Sequence, residues 1–331
     1  MPSRKRRIEG RAGMYYTCRT MSPETRNPRV ALVAGAAGYL GSGIVRALKA
    51  QGWRVVGLVR DTAKADRVAA LGATAIVADV RDAAAVAAAA RSTDVLIHVA
   101  AGGDPYTAEG LREAESIRVQ GARNLVRAAI AQHVPRVVMG SGYWVYPDQP
   151  GVIREDSPVD PRGEALVNFH AELAAREEAN SRRSPEVIVV RPGMVYGNGS
   201  WLRSVVDALR AGTYAVVADG TNPWSFVALD DAAAAFVRIA EAGAAGETYN
   251  VVDGRPVPWR EFADHVADRL GVGRPVSISV EEAARRYGAE VARHLAARRA
   301  CSSQKLEQLG WKPRYTDYRD GLAPVLASMT R

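Results

Sequence analysis

The feature that most restricts what this chain can fold into is a short apolar run, Val30-Ala-Leu-Val-Ala34. It passes directly into Gly35-Ala-Ala-Gly38-Tyr-Leu-Gly41 and then into a helical stretch from Leu40 to Gln51, stopped by Gly52. Five apolar residues without alternation predict a strand buried on both faces, the situation of a parallel sheet. Gly35 permits a tight turn, Gly38 lets the backbone approach a pyrophosphate, and Gly41 lets the helix pack closely on the strand. The first amides of that helix then point at the phosphates. A glycine triplet alone marks only a turn. Set between a strand and a helix, it predicts a dinucleotide cradle made by Gly35, Ala37, Gly38, Tyr39, Leu40 and Gly41.

The elements that follow keep the alternation a parallel sheet needs. Strands are expected at Arg54 to Val59, Ala75 to Ala78, Asp94 to Val99, Arg136 to Met139 and Glu186 to Val190. Helices are expected at Ala83 to Ala90, Ser116 to Gln132 and about Glu164 to Asn180. Such alternation implies right-handed crossovers and an α/β fold with a doubly wound parallel sheet over residues 29–191. Beyond Arg191, Gly, Pro and aromatic residues crowd the loops. Helices are expected near Ser204 to Ala211, Asp230 to Ala242, Trp259 to Leu270 and Val280 to Ala297, predicting a smaller, mainly helical substrate lobe over residues 192–331, interleaved with the end of the sheet.

Charge narrows the function classes. Residues 1–28 hold seven Lys/Arg against Glu9 and Glu24, a surplus of +5 out of the chain's +8. The remaining 303 residues are therefore nearly neutral and show no stripe of basic and aromatic residues, which argues against a nucleic-acid partner. The basic stretch reads as a disordered leader, or as an extension ahead of a start at Met14 or Met21. No apolar run approaches a membrane span, and no secretory segment is evident. Cys18 and Cys301 have neither metal nor redox spacing. That fits free thiols in a reducing cytoplasm and no metal site.

The second strand ends Gly57-Leu-Val59-Arg60. A dinucleotide lacking a 2′-phosphate usually meets an acid here. Val59 takes that place and Arg60 follows, a side chain whose planar fork pairs with a phosphate. NADP(H) is therefore expected over NAD(H). Asp79 and Val80 are expected beside the adenine, and Ala100, Ala101 and Gly102 along the inner ribose. His98 is expected to be structural, packed beneath the cofactor.

Jointly these stations resemble a known family. Gly35 to Gly41, Asp79-Val-Arg-Asp82, His98-Val-Ala-Ala101, Val190-Arg-Pro-Gly-Met-Val-Tyr-Gly197, Phe226-Val-Ala-Leu-Asp-Asp231, Thr248-Tyr-Asn-Val251 and Leu309-Gly-Trp-Lys-Pro313 are similar, in order, to motifs of the extended short-chain dehydrogenase/reductase superfamily. That group includes NAD-dependent epimerases and dehydratases. The resemblance implies a Rossmann-type nucleotide domain, contacts from Pro192, Gly193 and Val195 to the cofactor, and a homodimer formed through two helices. It also implies a catalytic Ser, Tyr and Lys. In the register of Val138 to Tyr146, the Ser position falls on Gly142, the Tyr position on Leu166 and the Lys position on His170. Between Pro147 and Val190 there is neither Tyr nor Lys, so the expected reading is an atypical member with a different proton donor.

His170, Tyr143 and Ser141 are the candidates for that chemistry, since imidazole and phenol both carry protons and Ser141 sits where the fifth strand opens over the nicotinamide. Asp104, Tyr106, Trp144, Asn168, Tyr196, Trp201 and Trp224 are candidates for a substrate pocket, most of them aromatic residues on loops at the carboxyl ends of strands. The predicted activity is reduction of a carbonyl, imine or activated alkene on a mid-sized apolar or aromatic molecule. A non-redox cyclase, isomerase or dehydratase with a structural dinucleotide is the first alternative; a non-catalytic sensor of NADP(H) is the second.

Overall fold

The computed structural model describes residues 28–102, 108–160, 166–180, 185–199 and 201–329. The leader up to residue 27, and with it Asp104 and Tyr106, lies outside the described residues.

Six of the seven sheet strands form where the sequence predicts them, and the seventh lies at the Thr248-Tyr-Asn-Val251 motif. They are β1 (Val30–Ala34), β2 (Arg54–Val59), β3 (Thr74–Val77), β4 (Val95–His98), β5 (Arg136–Gly140), β6 (Glu186–Pro192) and β7 (Thr248–Val251). They build one seven-stranded sheet in the order β7-β6-β5-β4-β1-β2-β3, and every pairing in it is parallel. The chain leaves β1 toward β2 and β3, then returns to place β4 on the other side of β1. That reversal opens a crevice at the carboxyl ends of β1 and β4, the place where open α/β sheets receive ligands.

Helices cover both faces. They are α1 (Tyr39–Ala50), α2 (Thr62–Ala70), α3 (Ala83–Ala89), α4 (Ala108–Glu115), α5 (Gly121–Ala131), α6 (Leu166–Asn180), α7 (Leu202–Arg210) and α8 (Leu229–Ala242). On one face Ile44, Val45 and Leu48 of α1 meet Phe236 and Ile239 of α8 across Val33 and Ile97. On the other, Leu32, Leu58 and Leu96 pack beneath Val126 of α5 and Ala171 and Ala175 of α6. α9 (Trp259–Leu270) anchors a further cluster of Trp224, Phe226, Trp259, Phe262 and Leu322.

Three departures from the sequence reading have physical reasons. α2 was not expected because its stretch mixes polar residues with alanines and buries just Val68 among its side chains. Its start is fixed instead by Asp61, which accepts a hydrogen bond from the Lys64 amide. The helix expected from Ser116 begins at Ala108 and widens into a π turn over Ser116–Gln120 before α5 resumes. Periodicity cannot show such a turn, which adds one residue to a helix. The helix expected from Val280 to Ala297 breaks at Gly288, whose φ is +93°.

The turn from β1 into α1 leaves no room for side chains. A Cβ on Gly41 would lie 2.0 Å from the Gly35 carbonyl oxygen, and one on Gly35, at φ +91°, would lie 2.7 Å from the Ala100 backbone. Gly41→Ala is therefore expected to lower unfolding free energy by about 1–3 kcal/mol. Gly273→Ala, with nothing within 4 Å of its added Cβ, should stay within about 0.5 kcal/mol of the parent. Denaturant unfolding of both variants checks this; equal stability of the two would refute the close-approach argument.

Candidate active site

A cavity of about 530 Å³ opens in the crevice over the carboxyl ends of β1, β2, β4 and β5. Its floor is the β1–α1 turn, where Gly35, Ala37, Gly38, Tyr39, Leu40 and Gly41 all reach the surface. The Gly38 amide donates to the Gly35 carbonyl at 2.9 Å, and no side chain caps the start of α1. Backbone alone therefore faces the space. Positions that a Cβ would block, beside an uncapped helix start, fit the close approach of a pyrophosphate.

The end of the cavity beside β2 is cationic. Val59 is buried, while Arg60, Lys64 and Arg67 line the wall. Arg60 pairs with Glu113 of α4 at 2.9 Å and Lys64 with Asp61 at 2.6 Å, both in partly exposed settings. Arg67 makes no ion pair among the described residues. Sequence reading found Arg60 and missed Lys64 and Arg67. The signal was available: the three sit four and three residues apart, so that once α2 is recognised the latter two share a face with the end of β2. Asp79 is tied to Arg81, Nη2 to Oδ2 at 2.6 Å, and those hydrogen bonds hold its carboxyl below the ordinary value. Val80, rather than Asp79, forms the wall there.

The rest of the wall is formed by Val99, Ala100, Ala101, Gly140, Ser141, Ile117 and Arg118. Gly102 lies against Ile117 and the Arg60 guanidinium. His98 is buried beneath. Burial pushes its imidazole down to about 4, so it is neutral, and its Nε2 bonds the Arg118 carbonyl at 3.2 Å.

Behind Ser141 stands a buried polar network that sequence reading did not find. Glu172 of α6 and Arg191 of β6 are 3% and 5% exposed and meet through two hydrogen bonds, of 2.6 and 3.0 Å. Burial alone would lower the Arg191 guanidinium, but the hydrogen bonds and charge of Glu172 outweigh it and raise it. Ser141 Oγ donates to the same carboxylate. Arg191 also donates to the Tyr146 hydroxyl at 3.0 Å, and Tyr146 donates to Asn250 at 2.8 Å; burial pushes that phenol up to about 12.

The structure brings together some of the expected residues and separates others. Ser141 lines the cavity. Gly142 follows, flanked by the Trp144 ring and the Asn168 amide; Asn168 Oδ1 is buried without a partner among the described residues. His170 is elsewhere. It lies two residues before Glu172, some 200° round the helix, and its Nδ1 pairs with Glu115 of α4 at 2.9 Å. Tyr143 is fully buried, its hydroxyl without a partner among the described residues, and burial raises its phenol well above the usual value. Pro192 and Gly193 end β6, where a Cβ on Gly193 would meet the Ser225 carbonyl at 2.5 Å. Val195 runs beside Val227. None of these three is in the cavity wall.

The loop aromatics are mostly core. Trp224 stacks on Trp259 at 4.1 Å, Trp201 meets Trp259 and Phe262 at 5.8 and 5.7 Å, and Tyr196 is buried in the same cluster. They were expected to line a pocket; burying large aromatic area against α9 is what stabilises the second lobe. Trp144 differs: partly buried, it contacts Tyr143 at 4.5 Å and the His294 ring at 3.8 Å. Among the described residues no helix is long and apolar enough to cross a membrane, and no cluster of His, Cys, Asp and Glu could hold a metal ion.

A parallel sheet with a glycine cradle at its switch point defines a nicotinamide-dinucleotide enzyme of the Rossmann class. The model of the NAD dependent epimerase/dehydratase family matches residues 31–252, and the chain belongs to that family. It is 34% identical over 311 residues to a 3-diazoavenalumate denitrifying reductase from Streptomyces sp, covering 88% of this chain and 98% of that protein. It is 28% identical over 260 residues to a 4-hydroxy-2-methyl-3-oxo-4-farnesyl-3,4-dihydroquinoline-1-oxide ketoreductase from Stigmatella aurantiaca, covering 76% of this chain and 77% of that protein. Among solved structures, dTDP-glucose 4,6-dehydratase from Streptomyces venezuelae with NAD bound superposes with a TM-score of 0.78 at 26% identity, over 91% of this chain and 97% of that one. The chain is an oxidoreductase of this family.

Removing one member of a buried ion pair strands the other. Glu172→Gln is expected to cost about 3–5 kcal/mol of stability, and Glu172→Leu combined with Arg191→Met should recover most of it. Chemical denaturation of the single and double variants decides: a double variant no more stable than the single one contradicts the pairing.

Proposed function

We propose that this chain is an NADP(H)-dependent reductase. It acts on a carbonyl, imine or activated alkene of a mid-sized apolar or aromatic molecule in specialised metabolism, and uses a proton donor other than the family's usual one. The observation that carries the cofactor choice is the wall at the end of β2. A 2′-phosphate placed there meets Arg60, Lys64 and Arg67, and the residue that would meet a free ribose hydroxyl pair is the apolar Val59. The substrate class rests on Trp144 beside Gly142 and on the two named reductases above, one named for a diazoavenalumate and one for a farnesyl dihydroquinoline oxide.

When bound, the dinucleotide supplies the hydride. The protein's task is then orientation and one proton. The cradle from Gly35 to Gly41 fixes the pyrophosphate, and the cations beside β2 fix the adenosine end. Arg191 fixes the Glu172 carboxylate, which accepts the hydrogen bond from Ser141 Oγ, so that toward the cleft Ser141 offers lone pairs. It is an acceptor that aligns a ligand N–H or O–H. His170 is engaged with Glu115. The donor assigned here is Tyr143: burial keeps its phenol protonated, and its hydroxyl, which lies outside the cavity wall and has no partner among the described residues, would be satisfied by a substrate oxygen that reaches it.

Two measurements test this. Paired Arg60→Ala and Arg67→Ala substitutions should raise the KM for NADPH about 10- to 100-fold and leave that for NADH within about threefold; an equal loss with both cofactors would sink the phosphate reading. Tyr143→Phe should lower kcat by about 10²-fold with little change in Tm, and full activity in that variant would remove Tyr143 from the chemistry.

A further inference from the structure

The cleft contains a second cationic group whose role the nucleotide does not account for. Arg118 sits in the π turn between α4 and α5 and lines the same cavity as Ser141 and the cations beside β2. The residue is partly exposed, and its guanidinium makes no hydrogen bond or ion pair with any described residue. Burial lowers its affinity for its proton, with no described carboxylate to offset the cost. An arginine nevertheless stays charged. A desolvated, unpaired guanidinium is costly unless a ligand completes it.

The backbone holds it there by construction. His98 Nε2 bonds the Arg118 carbonyl at 3.2 Å. The next helix begins at Gly121, where a Cβ would stand 2.8 Å from that same nitrogen. Neutral His98 therefore fits under the π turn only because residue 121 is glycine. π turns inside α-helices occur mostly where a side chain must be re-aimed at a functional site. Here the turn packs chiefly against α6, the helix that carries Asn168 and Glu172.

We infer that Arg118 is a substrate-binding residue that receives a carboxylate, so that the molecule reduced here is an aromatic acid whose ring rests near Trp144 and whose carboxylate pairs with the guanidinium. This deepens the reductase reading above and rests on it. A planar guanidinium matches a carboxylate through two parallel hydrogen bonds. The phosphates already have their own partners in the glycine cradle and in the Arg60, Lys64 and Arg67 wall, which leaves Arg118 for the other ligand.

The test is calorimetric titration of the full chain, with and without NADP+, using 4-hydroxycinnamate and its methyl ester as probes. The acid should bind at least tenfold more tightly than the ester. Arg118→Gln and Arg118→Met should each erase that difference and leave the NADP+ affinity within twofold. No preference for the acid in the parent protein, which needs no variant to measure, overturns the inference. So does a preference that survives in either variant, or a loss of NADP+ affinity as large as the loss for the acid, which would assign Arg118 to the cofactor. Failure of the parent chain to bind NADP+ would count against the cofactor reading alone, because the acid-to-ester ratio is read separately.

Discussion

The ion pair between Glu172 and Arg191 is the contact through which the two halves of the site are joined. Removing both charges from water is costly, and the pair persists because two hydrogen bonds link carboxylate and guanidinium while Ser141 and Tyr146 use remaining capacity. Its geometry decides three things at once. α6 is pinned to β6, which sets the face of that helix turned toward β5. Ser141 is held in one orientation with its proton turned away from the cleft. Through Tyr146 and Asn250, the constraint reaches β7, the strand that returns from the second lobe. A hydrophobic substitute of equal volume could match the stability, but not the alignment of Ser141.

That alignment clarifies how the cleft divides its labour. Electrostatics at its two ends are different in kind. Beside β2, the cations are half exposed and two of them have acidic neighbours, Glu113 and Asp61. A phosphate bound there exchanges one weak, solvated pairing for a stronger one. Arg118 is partly withdrawn from water and has no described counter-charge, so a negatively charged ligand group would gain more from it per contact. The glycine floor between them is neutral and made of backbone, which suits a pyrophosphate and discriminates little. Specificity therefore resides at the ends, where side chains differ, and binding strength in the middle, where they are absent.

Much of the fold was legible in the sequence. Strands buried on both faces give continuous apolar runs, and six of the seven sheet strands were found to within two residues. β7 was visible only as the motif Thr248-Tyr-Asn-Val251, because Thr248 and Asn250 interrupt the apolar run that marked the other strands. α2 was missed for the complementary reason: it is a solvated helix held by a cap. The cradle residues Gly35 to Gly41 were readable because each glycine is demanded by a different close approach. His170 was misleading. Counting along a motif fixes a position in the chain, whereas the direction of a helical side chain depends on how the helix is pinned, here by Glu172. Tyr196, Trp201 and Trp224 misled in another way, since a loop aromatic reads the same whether it faces a ligand or a neighbouring helix.

Arg118 shows what kind of residue such reading passes over. In the sequence it is one arginine among several in a helical stretch that also holds Arg112, Arg123 and Arg127, and the ordinary reading is a solvated face. What separates it is a change of helical pitch, which turns one position of that face inward over a neutral histidine. His98 fits beneath that turn because residue 121 is glycine, and His98 is uncharged because it is buried. A small backbone distortion thus brings an arginine of that face to the cavity wall, partly withdrawn from water and without a counter-charge among the described residues.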